Sequence, residues 1–271
     1  MLIKHANNFN NKLDVFNSIE GWCNQEQFYS LELVLSFIDS IHLTGDIIEL
    51  GVFTGKSSGI FANYIGENET LKLVDMNMQY DVVNKNINKL TSNTPKIEFY
   101  NDMTWCISRF PKQTAKFIHI DAGHSYDNCW NDLNLSLPLL KDNGIIAVDD
   151  FFMDIYPQVT EATYNFVSDP NNNLRLFLYA GHKAYICKKP AFENVVRYII
   201  TNYKEYADLT KQPFYLNKSS SFVDSKTMSI VPIGDNKDIK YYRGLDEDNS
   251  IFPSDYINIL WVIGRKIHLI K

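Results

Sequence analysis

At 271 residues, 45% hydrophobic and 14% aromatic, the chain can fill one large α/β core or two small ones. A net charge of −6, with basic residues clustered no further than pairs such as Lys188-Lys189, disfavours a nucleic-acid partner. No apolar run approaches the roughly 18 residues of a membrane span, and Met1 to Leu13 lacks the apolar centre of a signal peptide. Cys23, Cys106, Cys129 and Cys187 are scattered without C-x-x-C spacing, so the expectation is a cytoplasmic protein with reduced thiols and no zinc site.

Residues 1–20 read as loosely ordered. Leu31, Val34, Leu35, Ile38 and Ile41 then mark one face of a helix over Gln25–Ile41. A βα alternation follows. Ile47–Val52 is a strand, Ser57–Ile65 a helix, Leu71–Asp75 a strand, Asp81–Leu90 a helix, and Ile97–Tyr100 a short strand. Lys116–Asp121 is the fourth strand. The helix after it carries Tyr126, Trp130, Leu133, Leu137 and Leu140 and is expected to stop at Asp142-Asn143-Gly144. Gly144–Val148 is the fifth strand, and Pro157 opens a helix to about Ser168. Leu174–Tyr179 and Ala184–Lys188 read as a closing hairpin through Ala180-Gly181-His182-Lys183.

Regular alternation argues a doubly wound, mostly parallel sheet over residues 44–189, after an N-terminal helical segment, 1–43. Beyond Pro190, Phe192, Val195, Val196, Ile199, Ile200 and Tyr203 form one helical stripe. Met228–Ile233 and Ile257–Ile263 are short apolar pieces interleaved with loop-like stretches at Ser219–Ser221, Asp235–Asp238 and Asp246–Ser250. Residues 190–271 thus read as an α+β appendage without assignable chemistry.

The stretch Asp46-Ile47-Ile48-Glu49-Leu50-Gly51-Val52-Phe53-Thr54-Gly55-Lys56-Ser57-Ser58 is a strand, a tight turn and a helix start, which is where cofactors sit in open α/β sheets. A dinucleotide fingerprint would need glycines where Val52 and Phe53 stand. A phosphate loop ending in Gly55-Lys56-Ser57 would need one more residue after Gly51. Four strands end in acids: Glu49 near the first turn, Asp75, Asp121 and Asp149-Asp150. One such acid would be an ordinary helix cap. Four at the same sheet edge imply an anionic site that calls for a cation or hydroxyl donors. Asp75, 20 residues past Gly55, stands where an acid accepts from ribose hydroxyls, and Asp102 could approach an adenine. His119 reads as a packed strand residue, His182 as a surface-loop residue, and Trp22 as either a cleft wall or a packing anchor.

Glu49-x-Gly51-x-x-x-Gly55 resembles motif I of class I S-adenosylmethionine (SAM) methyltransferases. Phe117-Ile118-His119-Ile120-Asp121-Ala122-Gly123-His124-Ser125-Tyr126, followed by Asp132 and by Gly144-Ile145-Ile146-Ala147-Val148-Asp149-Asp150, resembles the D-x-x-H…D-D pattern of one family within that class. That family includes the macrocin-type sugar O-methyltransferases. The resemblance spans about residues 20–189, with Asn143-Gly144 where the family has Gly-Gly. It implies a Rossmann-like fold with SAM near Glu49, Gly51, Gly55, Ser57, Asp75, Asp102 and Asp121. It also implies a divalent metal, Mg²⁺ or another hard cation, on Asp121, Asp149 and Asp150, and His124 as the base beside the acceptor hydroxyl.

The expected activity is therefore metal-assisted O-methylation of a hydroxylated small molecule, such as a sugar or glycosylated metabolite, by a chain compatible with a homo-oligomer. Three rivals stay open: a metal-free SAM methyltransferase, a non-catalytic SAM-fold binding protein, and a nucleotide hydrolase through Gly55-Lys56-Ser57. An iron oxygenase would be expected to show two histidines and a carboxylate. This motif holds one histidine.

Overall fold

The computed structural model describes residues 9–210, 214–222 and 225–232. In chain order the helices are α1 (Phe9–Asn17), α2 (Gln25–Ser40), α3 (Lys56–Phe61), α4 (Tyr80–Leu90), α5 (Tyr126–Ser136), α6 (Pro157–Ser168) and α7 (Phe192–Thr210). The strands are β1 (Asp46–Leu50), β2 (Thr70–Val74), β3 (Lys96–Tyr100), β4 (Ala115–Ile120), β5 (Leu140–Val148), β6 (Leu174–Ala180), β7 (Lys183–Lys188), β8 (Phe214–Phe222) and β9 (Ser225–Pro232).

These strands form one nine-stranded sheet in the order β3-β2-β1-β4-β5-β7-β6-β9-β8. Pairing from β3 through β5 is parallel, and β7 is antiparallel to both β5 and β6. The chain steps outward from β1 to β3, then returns to lay β4 and β5 on the other side of β1. The order therefore reverses between β1 and β4, and a crevice opens at their carboxyl ends.

Period-two alternation divides the strands between two cores, because successive side chains leave opposite faces of the sheet. Ile47, Phe117, Ile145, Ala147, Tyr185 and Cys187 face α2, α3, α4 and α7. Ile48, Ile118, Ile146, Val148, Ala184 and Ile186 face α5 and α6. By the same alternation Glu49, His119 and Lys183 fall on the α2–α3 face, a polar row at the end of an otherwise apolar layer.

Several expectations need correcting. Residues 9–17 are helical, not loose. The fourth-strand helix ends at Ser136, eight residues before Gly144. Pro138 lacks an amide proton and cannot extend the ladder, so Leu137–Leu139 tighten into a 3₁₀ turn. Leu140 to Gly144 then belong to β5, with a bulged register against β4. The helix after β1 is also shorter, ending at Phe61 before a 3₁₀ turn over Ala62–Tyr64. In the apolar stripe of α7, Val195, Val196, Ile199, Ile200 and Tyr203 are buried and Phe192 is partly buried. The sheet runs past residue 189, because β9 pairs in parallel with β6 at Leu178↔Met228, and Ser219–Ser221 lie in β8 rather than a loop, since β8 pairs antiparallel with β9. Ile257–Ile263, Asp235–Asp238 and Asp246–Ser250 lie outside the described residues. No described helix is long and apolar enough to cross a membrane.

Candidate active site

A cavity of about 660 Å³ occupies the crevice at the carboxyl ends of β1, β2, β4 and β5. Gly51 makes its floor possible. Its φ is 84°, and a Cβ there would stand 1.8 Å from the Asp121 carbonyl oxygen, so the two strand ends approach as only glycine allows. The turn it begins is pinned by Asp75. Asp75 Oδ2 accepts from the amides of Val52 at 2.9 Å and Phe53 at 3.0 Å, and Oδ1 accepts from Asn77 N at 2.8 Å. Asp75, Asp102, Ser57 and Asp121 all line the cavity. Asp102 Oδ1 accepts from Met103 N at 2.8 Å.

Two expected cofactor residues stand behind the wall instead. Gly55 is the left-handed N-cap of α3 and packs against Val83. Glu49 is fully buried and accepts from the hydroxyls of Ser57, at 2.5 Å, and Ser58. Burial lifts its pKa to about 7 against the pull of the two serines. Its contribution to the cleft is thus indirect, through the position of α3. Lys56, the cation a phosphate loop would use, lies with Nζ 4.5 Å from the ring centroid of Phe16.

The acids at the other end do not converge as expected. Asp149 is 8% exposed and already engaged. Its Oδ2 lies 2.5 Å from Lys183 Nζ, while its Oδ1 accepts from Gln27 Nε2 at 2.9 Å. The set that faces a common point is Asp121, His124 and Asp150. His124 Nε2 lies 2.9 Å from Asp150 Oδ2 and 3.7 Å from Asp121 Oδ1, yet it is buried without a well-aligned hydrogen bond. Its ring stacks on Tyr156 with centroids 4.1 Å apart. Two carboxylates facing one point, beside an imidazole nitrogen that has no well-aligned hydrogen bond, fit a cation held by Asp121 and Asp150. A second group, His119 with Asp121 and Asp149, contains its own cation in the Lys183 ammonium.

The electrostatics follow from burial and crowding. Burial, then repulsion from Asp149, pushes Asp121 up to about 8. Asp121 and then Asp150 push His124 up to about 10, so without a metal it is an imidazolium. Burial opposes the charge of Lys183, but Asp149 foremost outweighs it and leaves the pKa above the ordinary lysine value. His119 is fully buried, with Nδ1 3.2 Å from Glu49 Oε1 and Nε2 2.9 Å from Lys183 Nζ. Burial and then Lys183 drive its pKa well below the ordinary value. Lysine has only donors, so His119 Nε2 accepts and its Nδ1–H donates to Glu49.

Three contributors escaped the sequence reading, and three others take a clearer place. Gln27, Lys183 and Tyr156 carried no motif. Trp22 is 89% exposed at the cleft mouth, so it is a wall rather than a packing anchor. His182 also lines the cavity, with Nδ1 buried and unpartnered. Asp132 lies in the cavity lining at 1% exposure with Oδ2 unpartnered, and burial raises its pKa to about 6.

Comparison with known proteins agrees with this geometry. The family model described as a methyltransferase domain matches residues 48–151. The solved O-methyltransferase NovP superposes with a TM-score of 0.51 at 15% identity, covering 59% of this chain and 79% of its own. A Corynebacterium glutamicum protein from structural genomics gives 0.50 at 13% identity, covering 68% and 88%. At such identities the likeness is one of fold. No curated protein matches the chain. The chain is thus similar to methyltransferases over the stretch from β1 to the turn after β5, the part of the fold that surrounds the cleft.

Proposed function

We propose that the enzyme methylates a hydroxyl of a small molecule, a sugar or glycosylated metabolite, with a divalent cation at the acceptor end of the cleft. In this reading the methionine end of SAM lies along the Gly51–Ser57 turn, the ribose on Asp75, and the adenine near Asp102. The observation that carries the reading is the convergence of Asp121, His124 and Asp150 at the far end of the same cavity. Two carboxylate ligands suit Mg²⁺ or Mn²⁺, with Asp149 one step behind them and His124 beside them as the base.

Methyl transfer from a sulfonium is a direct displacement, so the residues must align the acceptor oxygen and remove its proton. A bound cation would supply the positive charge now provided by the imidazolium and would acidify an acceptor hydroxyl. His124 can then hold a free Nε2 and receive the proton as the carbon–oxygen bond forms. The stack on Tyr156 fixes the plane of its ring. The four free cysteines are all buried, which accords with a cytoplasmic setting for the proposed enzyme. Residues 44–189 would form the cofactor core, with acceptor choice influenced from residues 190–271.

A metal-free methyltransferase is the second reading, and one observation favours it. The Lys183 ammonium and the His124 imidazolium already offset much of the charge on Asp121, Asp149 and Asp150. One experiment separates the two. Purified protein, stripped with EDTA, is screened with SAM against sugar nucleotides, glycosides and simple polyols, with and without Mg²⁺ or Mn²⁺. Product that forms only after metal is returned supports the first reading, and full activity in EDTA supports the second. A protein that binds SAM but methylates nothing across the panel would favour a non-catalytic role.

A further inference from the structure

The turn after β5 holds two non-glycine residues in the left-handed region, Asp150 at φ 58° and Phe152 at φ 61°. Such backbone persists only where its neighbours over-determine it. Here the neighbours come from the β6–β7 hairpin and from α6, where Thr160 Oγ1 accepts from Phe152 N at 2.8 Å. At the β6–β7 tip, the His182 carbonyl accepts from Phe151 N at 2.9 Å. The next residue sends its ammonium to Asp149 Oδ2 at 2.5 Å, and Lys183 is fully buried. The second oxygen of Asp149 accepts from Gln27 Nε2 at 2.9 Å and from Asp150 N at 3.0 Å. The tip packs closely on the start of α2, where a Cβ on Gly181 would stand 2.9 Å from Gln27 N. Asp149 is therefore held on both oxygens immediately before the residue whose Oδ2 lies 2.9 Å from His124 Nε2.

We propose that Lys183 is a positioning residue of the active site: by clamping Asp149 it holds the 149–152 turn in the geometry that presents Asp150 to His124. The proposal rests on the reading that Asp150 and His124 form the acceptor end of the cleft. Lys183 acts through Asp149 and, by its contact with His119 Nε2, is tied to Glu49 and the start of α3. One buried ammonium thus links the cofactor turn to the acceptor carboxylates.

Lys183→Met alone would leave a buried carboxylate without its cation, which is strongly destabilising. The useful variant is Lys183→Met combined with Asp149→Asn, which removes both charges and keeps a carbonyl acceptor for Gln27 and the Asp150 amide. Wild type and this double variant are compared by amide hydrogen exchange at Phe151 and Phe152, by Mn²⁺ titration alone followed by electron paramagnetic resonance, and by SAM calorimetry. The expected result is exchange at Phe151 at least about tenfold faster, with Phe152, whose amide is bonded to Thr160, affected less, and Mn²⁺ affinity at least about tenfold weaker, with SAM affinity changed less than Mn²⁺ affinity and cooperative melting retained. Unchanged exchange overturns the proposal, and so does faster exchange with unchanged Mn²⁺ affinity. A wild type that takes up no Mn²⁺ refutes the metal reading of the site instead, and exchange alone then decides on Lys183.

Discussion

Replacing Asp75 by Asn tests the cofactor end of the cleft, and the structure sets the size of the effect. An ionised carboxylate offers about four lone-pair sites. Three are already used by backbone amides: Val52 and Phe53 on Oδ2, and Asn77 on Oδ1. That leaves room for one strong bond to a ribose hydroxyl, where two would be drawn from sequence alone. A hydrogen bond to a charged group contributes roughly 1.5–3 kcal/mol, so losing the charge should weaken SAM by about 10- to 150-fold. Asparagine keeps an oxygen for Val52 and Phe53 but turns an amide donor towards Asn77 N, so some loosening of the turn adds to the loss. Calorimetry with SAM on wild type and Asp75→Asn, after matched melting curves, measures it. A Kd within threefold of wild type, with Tm preserved, would refute the placement of ribose on Asp75 and the argument from lone pairs with it.

Three further outcomes are expected. His124→Ala should lower kcat by roughly 10²–10⁴-fold while SAM calorimetry stays nearly unchanged, and a variant with near wild-type turnover would leave His124 a packing partner of Tyr156. EDTA treatment should abolish methyl transfer, and Mg²⁺ or Mn²⁺ should restore it, measured by product formation with one acceptor from the screen. Glu32 gives the clearest pH signature. It is 1% exposed, its carboxylate accepts from Tyr64 Oη at 2.7 Å, and burial raises its pKa from the ordinary 4.5 to about 7. The folded chain thus holds a proton that the unfolded chain releases. Its contribution to stability is whole below pH 4.5 and falls as pH rises through about 7, by about 3 kcal/mol. Glu32→Gln should flatten that stretch of the denaturation profile and be more stable than wild type at pH 8, and an unchanged slope between pH 4.5 and 7 would contradict the buried-acid argument.

The order of elements from β1 to β7 was legible in the sequence because each piece is local. Apolar alternation, a glycine turn and an acid at the strand end are patterns within about ten residues, and the parallel sheet follows from their repetition. Asp75, Asp121 and Asp150 were legible for the same reason, since a strand end brings its acid to the cleft edge whatever the neighbours are. The roles of Glu49, Asp149 and Lys183 were not. Glu49 and Asp149 look like cleft acids in one dimension, but the sheet sets Glu49 beside His119 in register and brings Lys183 from a hairpin more than thirty residues beyond Asp149. Gln27, 122 residues away in sequence, completes the clamp. Which carboxylates remain open is decided by buried partners, because a charge removed from water must be paired within the protein. The sequence by itself determined the strand ends, the glycine turn and the pool of acids. Only the tertiary structure decided which acids are occupied by Lys183, Gln27 and the two serines, and which are left facing His124, because that pairing depends on contacts between residues distant in the chain.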